Sequence, residues 1–262
     1  MIRFSQSQDD VNTLFNSYPE NAMQRQIITR LQLSNKPYIY KNNNQLKFYI
    51  DLRAQIINAA YAQSNSGLDF AVFRKTRCNE EYWIRENNGG FRLKRGVKPS
   101  QAISDIFRNA SKYATECATA MVIVYYMALL QVFPQELFDK VFDNIYLMNW
   151  HDIDRNLREI GMMKELSDSL PGDRRYFKNP DVDVKTPEWQ GENVIDLGNG
   201  QYYGHGVGIY KAEQIIRALN ENRKQGSTVS AYLMDTAGNP DYDKLYSIFE
   251  RNQTQGSSSL TA

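Results

Sequence analysis

Cys117 is the residue of this chain best suited to covalent chemistry. It stands at the head of a mostly apolar run that continues through Leu130, and Glu116 comes directly before it. A thiol in the first turn of a helix lies near the positive end of the helix dipole, which favours the thiolate. This setting suits a nucleophile for acyl transfer, although a free cysteine is also an ordinary small, buried hydrophobe.

Three residues are candidates for the base that a nucleophilic thiol needs. His205 ends a predicted strand, 88 residues after Cys117, and His151 precedes an acidic stretch. Glu192 is the third candidate, because the nearby Trp189 would exclude water from its carboxyl group and raise its pKa. Histidine has an unperturbed pKa near neutrality, but a lone histidine is more often structural than catalytic. The residue types alone leave the choice open.

Hydrophobic spacing predicts the elements that must position these side chains. Apolar residues recur at near-helical spacing over residues 45–64, and Cys117 begins a second, buried helix. Asn-Gly and Gly-Asn-Gly turns predict two hairpins, with strands at residues 82–84 and 91–93 and at residues 193–197 and 201–205. Another helix opens at Pro99, with Ser100 as its predicted cap.

This pattern predicts one α+β domain of antiparallel hairpins with helices packed to one side. A thiol helix followed by hairpins that carry the base is also the order of papain-like folds. Residues 152–175 read as a long charged loop or broken helix. We divide the chain into an N-terminal segment at residues 1–44, a single domain at 45–250 and a disordered tail at 251–262.

Composition excludes several classes of protein. The chain has 262 residues, a net charge of +1 and 42% apolar residues, and its basic residues are scattered, so we expect no nucleic-acid partner. The longest apolar run falls short of the roughly 20 residues that a bilayer span requires, and the start lacks a secretory signal. We therefore expect a protein that is made in the cytoplasm and does not associate with a membrane.

Cofactor sites are also missing from the sequence pattern. Two histidines and two cysteines at these spacings make no metal-ligand set, and no acidic loop resembles a calcium site. The two cysteines, Cys78 and Cys117, do not suggest a disulfide framework. We expect no metal and no cofactor.

Several motifs, in the same order along the chain, resemble the bacterial spore-coat transglutaminases. The tightest are YATECATAMVIVYY at 113–126, YFKNP at 176–180, WQGENVI at 189–195, GHGVGI at 204–209 and QII at 214–216. AVFRK at 71–75 and PSQAI at 99–103 fit less tightly. The resemblance runs from about residue 45 to about residue 235.

The resemblance implies a protein-glutamine γ-glutamyltransferase on a compact papain-like fold. It implies a nucleophile at Cys117, a carboxylate partner at Glu192 and an alternate partner at Glu116. Trp189 would line the site, and His205 would support substrate binding without being essential. The substrates would be glutamine and lysine side chains of other proteins, in particular spore coat proteins. We expect a monomer that is made in the mother cell and assembled at the spore coat surface.

The expected reaction is a two-step acyl transfer. The thiolate attacks the γ-carboxamide of glutamine, ammonia leaves, and a lysine amine then attacks the thioester to give an isopeptide bond. Two alternatives stay open: a papain-like cysteine peptidase or amidase, if water reaches the acyl-enzyme, and a non-catalytic structural coat protein.

Overall fold

The computed structural model describes residues 1–166 and 168–258, with side chains described as far as residue 255. Its α-helices, in chain order, are α1 (Val11–Ser17), α2 (Met23–Leu33), α3 (Asn43–Ser66), α4 (Pro99–Arg108), α5 (Cys117–Val132), α6 (Gln135–Val141), α7 (Ala212–Glu221) and α8 (Tyr242–Ser258). Short 3₁₀ turns lie at Phe73–Lys75, Ala110–Lys112, Arg158–Gly161 and Pro187–Gln190.

The strands are short except at the centre of the main sheet. In chain order they are β1 (Ile2–Phe4), β2 (Tyr38–Tyr40), β3 (Asp69–Phe70), β4 (Trp83–Arg85), β5 (Phe91–Leu93), β6 (Ala114–Thr115), β7 (Tyr146–Leu147), β8 (Lys164–Glu165), β9 (Arg174–Lys178), β10 (Gly191–Gly198), β11 (Gln201–Gly204), β12 (Gly208–Lys211), β13 (Tyr232–Leu233) and β14 (Thr236–Ala237). Five of them form one antiparallel sheet in the order β12-β11-β10-β9-β13.

Helix α5 is the centre of the core. Its residues from Ala118 to Leu129 are buried on every side, as the nearly unbroken apolar sequence requires. It packs along α3 and against the central strand β10, and the Gln63 side chain donates to the Ala120 carbonyl at 3.1 Å. The helix ends before Pro134 because the residue that precedes a proline is driven to extended backbone.

Helix α3 confirms the prediction for residues 45–64 and shows how its ends are set. The Asn42 side chain accepts from the Gln45 N–H at 3.1 Å, and Gly67 ends the helix in the left-handed conformation, with φ of 83°. Both predicted hairpins are present, as β4–β5 and β10–β11. The α+β class, with Cys117 at the start of a buried helix, is thereby confirmed.

The N-terminal segment folds onto this helix. Helices α1 and α2 bury Leu14, Ile27 and Leu31 in a second apolar cluster that includes Leu46 and Ile50 of α3. Strands β1 and β2 pair in parallel beside them. The segment at 1–44 therefore shares its core with the rest of the fold.

Three local predictions differ from the structure. Ser100 is not the cap of α4, because Lys98 holds that position and the Ser100 hydroxyl donates to Asp139 at 2.9 Å. Strand β9 occupies the end of the region predicted as a charged loop. Helix α8 continues through Ser258, so the first part of the predicted tail is helical, and residues 259–262 lie outside the described residues.

Candidate active site

Glu116 caps the helix that carries Cys117. Its carboxylate accepts from the N–H groups of Ala118 at 2.6 Å and Thr119 at 2.8 Å, and it also accepts from the Thr119 hydroxyl. The first N–H groups of a helix have no partner within the helix. Among residues 1–166 and 168–258, nothing accepts from the Cys117 N–H, so one donor at the helix start is free beside the thiol.

The Cys117 thiol opens into a cleft of about 600 Å³ with mainly apolar walls. The large apolar and aromatic side chains of the lining are Phe70, Val72, Phe73, Trp150, Met163 and Tyr176. Glu116, Asn149, Arg174 and Asn193 supply polar groups to the same lining. A cleft of this kind can bury most of a ligand's surface against apolar walls, while a few polar groups orient the ligand.

Glu192 lies on the central strand β10, 6% exposed and outside the residues that line the cleft, but its charge acts on the Cys117 thiol. Its side chain occupies space that Gly204 of β11 leaves open, because a Cβ at position 204 would stand 2.8 Å from the Glu192 Oε1. That oxygen is buried and has no hydrogen-bond partner among the described residues. Burial and then the nearby Glu116 carboxylate raise the pKa of Glu192 well above its ordinary value.

The electrostatic surroundings favour the neutral thiol in the resting site. Burial raises the pKa of Cys117 most, and the charges of Glu192 and Glu116 raise it further. A hydrogen bond from the Asn193 side chain, with Nδ2 3.6 Å from Sγ, acts in the opposite direction. The effects that raise the pKa outweigh the helix dipole, which alone would favour the thiolate, so the thiol needs a base at the moment of attack.

His205 is buried outside the cleft. Its Nε2 lies 3.1 Å from the Asp69 carbonyl and 3.2 Å from the Thr115 carbonyl, so Nε2 carries the proton and donates. Burial lowers the pKa of His205 below its ordinary value. The ring thus joins the end of β11 to β3 and to β6, two residues before Cys117. The other histidine, His151, is exposed and does not line the cleft.

Trp189 also stands apart from the lining. It belongs to the same 3₁₀ turn as Glu188 and Gln190, which do line the cleft, but its ring packs against the apolar cluster that includes Phe177 and Leu219. Trp150 supplies the indole of the cleft instead. The substrate-binding roles of Trp189 and His205, like the catalytic roles of Cys117, Glu192 and Glu116, stay predictions.

The structure adds residues that sequence reasoning missed. Asn193 and Tyr176 were inside the matching motifs but carried no charge or nucleophile to single them out. Arg174 lies in the region predicted as a loop, and no motif in the sequence distinguishes Trp150. Cys78 packs beside the main core away from this cleft, and burial raises the pKa of its thiol to about 11.

The described residues contain neither a metal-ligand cluster nor a membrane-spanning helix. No cluster of histidine, cysteine and carboxylate side chains in residues 1–166 and 168–258 could hold a metal ion. Over the same residues, no helix has both the length and the apolar character that a membrane span needs.

Comparison with known proteins adds an independent line of evidence. The protein-glutamine gamma-glutamyltransferase (TGL) family model matches residues 1–249, which include the N-terminal segment. Proteins named protein-glutamine gamma-glutamyltransferase from Bacillus cereus strain 03BB102 and Bacillus thuringiensis subsp. konkukian are each 45% identical over 84% of this chain and 79% of their own length.

Comparison with solved structures also finds a transglutaminase. The structure of a transglutaminase from Geobacillus stearothermophilus, without its C-terminal extension, matches with a TM-score of 0.74 and 47% sequence identity. The match covers 78% of this chain and 97% of that one. With the cleft, the thiol helix and these relatives together, the chain belongs to the protein-glutamine gamma-glutamyltransferase family.

Proposed function

We propose that this protein cross-links other proteins by transferring the γ-glutamyl group of a glutamine side chain to the ε-amine of a lysine. The observation that carries the proposal is the Cys117 thiol at a free helix N-terminus in an apolar cleft, within the electrostatic influence of the buried Glu192 carboxyl group. A family match at 45% identity over most of the chain supports the same reaction.

In the first half of the reaction, Glu192 accepts the thiol proton as Sγ attacks the carboxamide carbon. The free Cys117 N–H donates to the oxyanion that forms. The C–N bond then breaks, Glu192 returns its proton to the leaving nitrogen, and ammonia departs. A thioester between Cys117 and the glutamyl group remains.

In the second half, the amine of a lysine attacks the thioester carbon. Glu192 accepts a proton from the incoming nitrogen and passes it to the departing Sγ, which restores the thiol. Apolar walls such as Phe70, Trp150 and Tyr176 reduce the access of water to the thioester. This favours transfer to an amine over hydrolysis.

The test is the incorporation of a fluorescent alkyl amine into a glutamine-containing protein, with EDTA present throughout. We expect incorporation by the wild type, none by Cys117→Ala and nearly normal incorporation by Cys78→Ala, the matched control. Release of ammonia without incorporation would identify an amidase instead. Inactivation by iodoacetamide that follows labelling of Cys78 would overturn the choice of nucleophile.

We also propose that the substrates are proteins of the bacterial spore coat, and that the enzyme, a monomer, is made in the cytoplasm of the mother cell and acts at the coat surface. The motif resemblance to spore-coat transglutaminases supports this. Isolated spore coats, incubated with the protein and a biotinylated amine, should take up more label than an equal mass of vegetative cytosolic protein. Equal or lower labelling of the coats would contradict the proposal.

A further inference from the structure

Asn193 is held so that one end of its amide faces the nucleophile. It follows Glu192 on β10 and is 6% exposed. Its Oδ1 accepts from Arg174 Nη1 at 2.8 Å, and a guanidinium group can only donate. The amide nitrogen must therefore be the end that faces Cys117, with Nδ2 3.6 Å from Sγ.

Arg174, which fixes that orientation, is a buried cation without a carboxylate partner. It is 2% exposed, its Nε donates to the Ile160 carbonyl at 2.9 Å, and its guanidinium lies 4.1 Å from the centre of the Trp150 ring. Within the described residues it forms no ion pair, and Nη2 has no hydrogen-bond partner. A buried charge without a counter-ion is costly, so its retention here requires an explanation.

The two sides of the thiol therefore differ in charge. Glu116 and Glu192 oppose negative charge on Cys117, whereas the Asn193 amide, with Arg174 behind it, favours negative charge. When Sγ bonds to a carbonyl carbon, the carbonyl oxygen lies two bonds from the sulfur. A donor that contacts Sγ in the resting site is then within reach of that oxygen.

We propose that the Asn193 side-chain amide is the second oxyanion donor of the acyl transfer, beside the Cys117 N–H, and that Arg174 is the positioning residue that orients and polarises this amide. The inference rests on the proposed function, because an oxyanion forms only if Cys117 attacks a carbonyl group. It explains the unpaired cation, whose field is then useful at the moment when negative charge develops on the substrate oxygen.

The test compares a reaction that forms an oxyanion with one that does not. Amine incorporation passes through the oxyanion, whereas alkylation of Cys117 by iodoacetamide needs only the thiolate. For Asn193→Ala we expect a loss in kcat of about 10²- to 10³-fold, the usual cost of one oxyanion donor, with KM little changed. The alkylation rate should fall much less. Asn193→Leu, which keeps the volume, serves the same purpose if the alanine variant does not fold.

Arg174 is tested against its neighbour on the same strand. Arg175 is also buried, but it donates to the carbonyls of Thr236 and Met234 and does not line the cleft. We expect Arg174→Met to lower kcat for amine incorporation more than it lowers the rate of Cys117 alkylation, and Arg174→Lys to recover part of the loss in kcat. Arg175→Met should keep the wild-type ratio of kcat to alkylation rate. Thermal unfolding of each variant separates these effects from loss of stability.

The outcomes separate the two proposals. If the wild type incorporates no amine, both the proposed function and the inference that rests on it are wrong. An active wild type whose Asn193→Ala variant keeps nearly normal kcat, or loses incorporation and alkylation equally, removes only the inference. If Arg174→Met and Arg175→Met have the same ratio of kcat to alkylation rate, the proposed role of Arg174 is wrong.

Discussion

The charges of two buried carboxyl groups act on the Cys117 thiol, and the two groups differ in their hydrogen-bond partners. Glu116, at the start of α5, accepts from two backbone N–H groups and a threonine hydroxyl. Glu192, at the start of β10, has an oxygen with no partner and fills space beside Gly204. Both are buried, and burial raises the pKa of each, but the hydrogen bonds at Glu116 act against that rise.

On this difference we propose that Glu192, and not Glu116, is the base. The lone pairs of Glu116 are already engaged with the helix start, and a proton there would compete with the cap. The unpartnered oxygen of Glu192 can take up a proton without breaking any contact within the described residues. We therefore assign the proton transfer to Glu192 and the shaping of the helix start to Glu116.

The largest expected effect is on catalysis. Glu192→Gln should lower amine incorporation by about 10²- to 10⁴-fold, the usual cost of losing a general base. Glu116→Gln should reduce the rate less, and the double variant should be worse than either. Steady-state incorporation rates, with circular dichroism to check folding, measure this. A folded Glu192→Gln variant at a nearly normal rate would reverse the assignment.

The pH dependence of the rate should sharpen the contrast. Glu192 can accept the thiol proton only when it is ionised, so kcat/KM should rise with pH through its raised pKa, by about tenfold per unit on the limb. The Glu116 charge helps to raise the pKa of Glu192, so Glu116→Gln should lower that pKa and move the rising limb of the pH profile to lower pH. A limb that stays in place in this variant would mean that the two groups do not interact.

His205 extends the comparison to a third buried titratable group. Its loss removes a donor to the Asp69 and Thr115 carbonyls, although the Thr115 carbonyl still accepts from the Ala71 N–H at 2.9 Å, so His205→Ala should lower the free energy of unfolding by about 1–3 kcal/mol. Amine incorporation should stay clearly measurable below the unfolding temperature. Denaturant titration and the incorporation assay test the two parts. A folded His205→Ala variant as inactive as Cys117→Ala would identify a Cys–His enzyme.

The smallest effect is on stability, and its sign should differ between the two carboxyl groups. The folded state holds the proton of Glu192 more tightly than the unfolded chain does, so stability falls as pH rises from the unfolded pKa through the folded pKa. Glu192→Gln removes that penalty and should raise the free energy of unfolding at pH 8 by about 1 kcal/mol, or about 2–4 °C in Tm.

At Glu116 the same change should destabilise. An amide has one acceptor oxygen and would turn its NH₂ group toward N–H donors of the helix start, so Glu116→Gln should cost about 1 kcal/mol. Thermal unfolding of both variants at pH 8 checks the pair. Shifts of the same sign would break the distinction between a cap and a base.

Sequence reasoning located the parts of the site that depend on local pattern. The apolar run after Cys117 predicts a buried helix because few other structures can bury a continuous stretch such as Ala118 to Leu129. Gly198-Asn199-Gly200 predicts the β10–β11 turn because all three residues adopt positive φ there. Glu192 is a candidate base from its position near Trp189, and the family resemblance then favours it over His205.

What the sequence could not provide depends on contacts between distant residues. The burial of Arg174 follows from Ile160, Trp150 and Asn193, which local charge patterns do not bring together, so the start of β9 read as a loop. Trp189 was expected to line the site, but tertiary packing gives that position to Trp150. The partners of His205 are backbone carbonyls, which carry no side-chain signature.

The missing side chain at Gly204 has a consequence for redesign. The space that Gly204 leaves on β11 is filled by the Glu192 side chain on β10, so a change at either position affects what the other can hold. Alanine at 204 alone would displace the carboxyl group, whereas a shorter acid at 192 would release the room that alanine needs. The two substitutions should therefore be non-additive, and the acid can be moved relative to the thiol from a neighbouring strand without altering either reactive group.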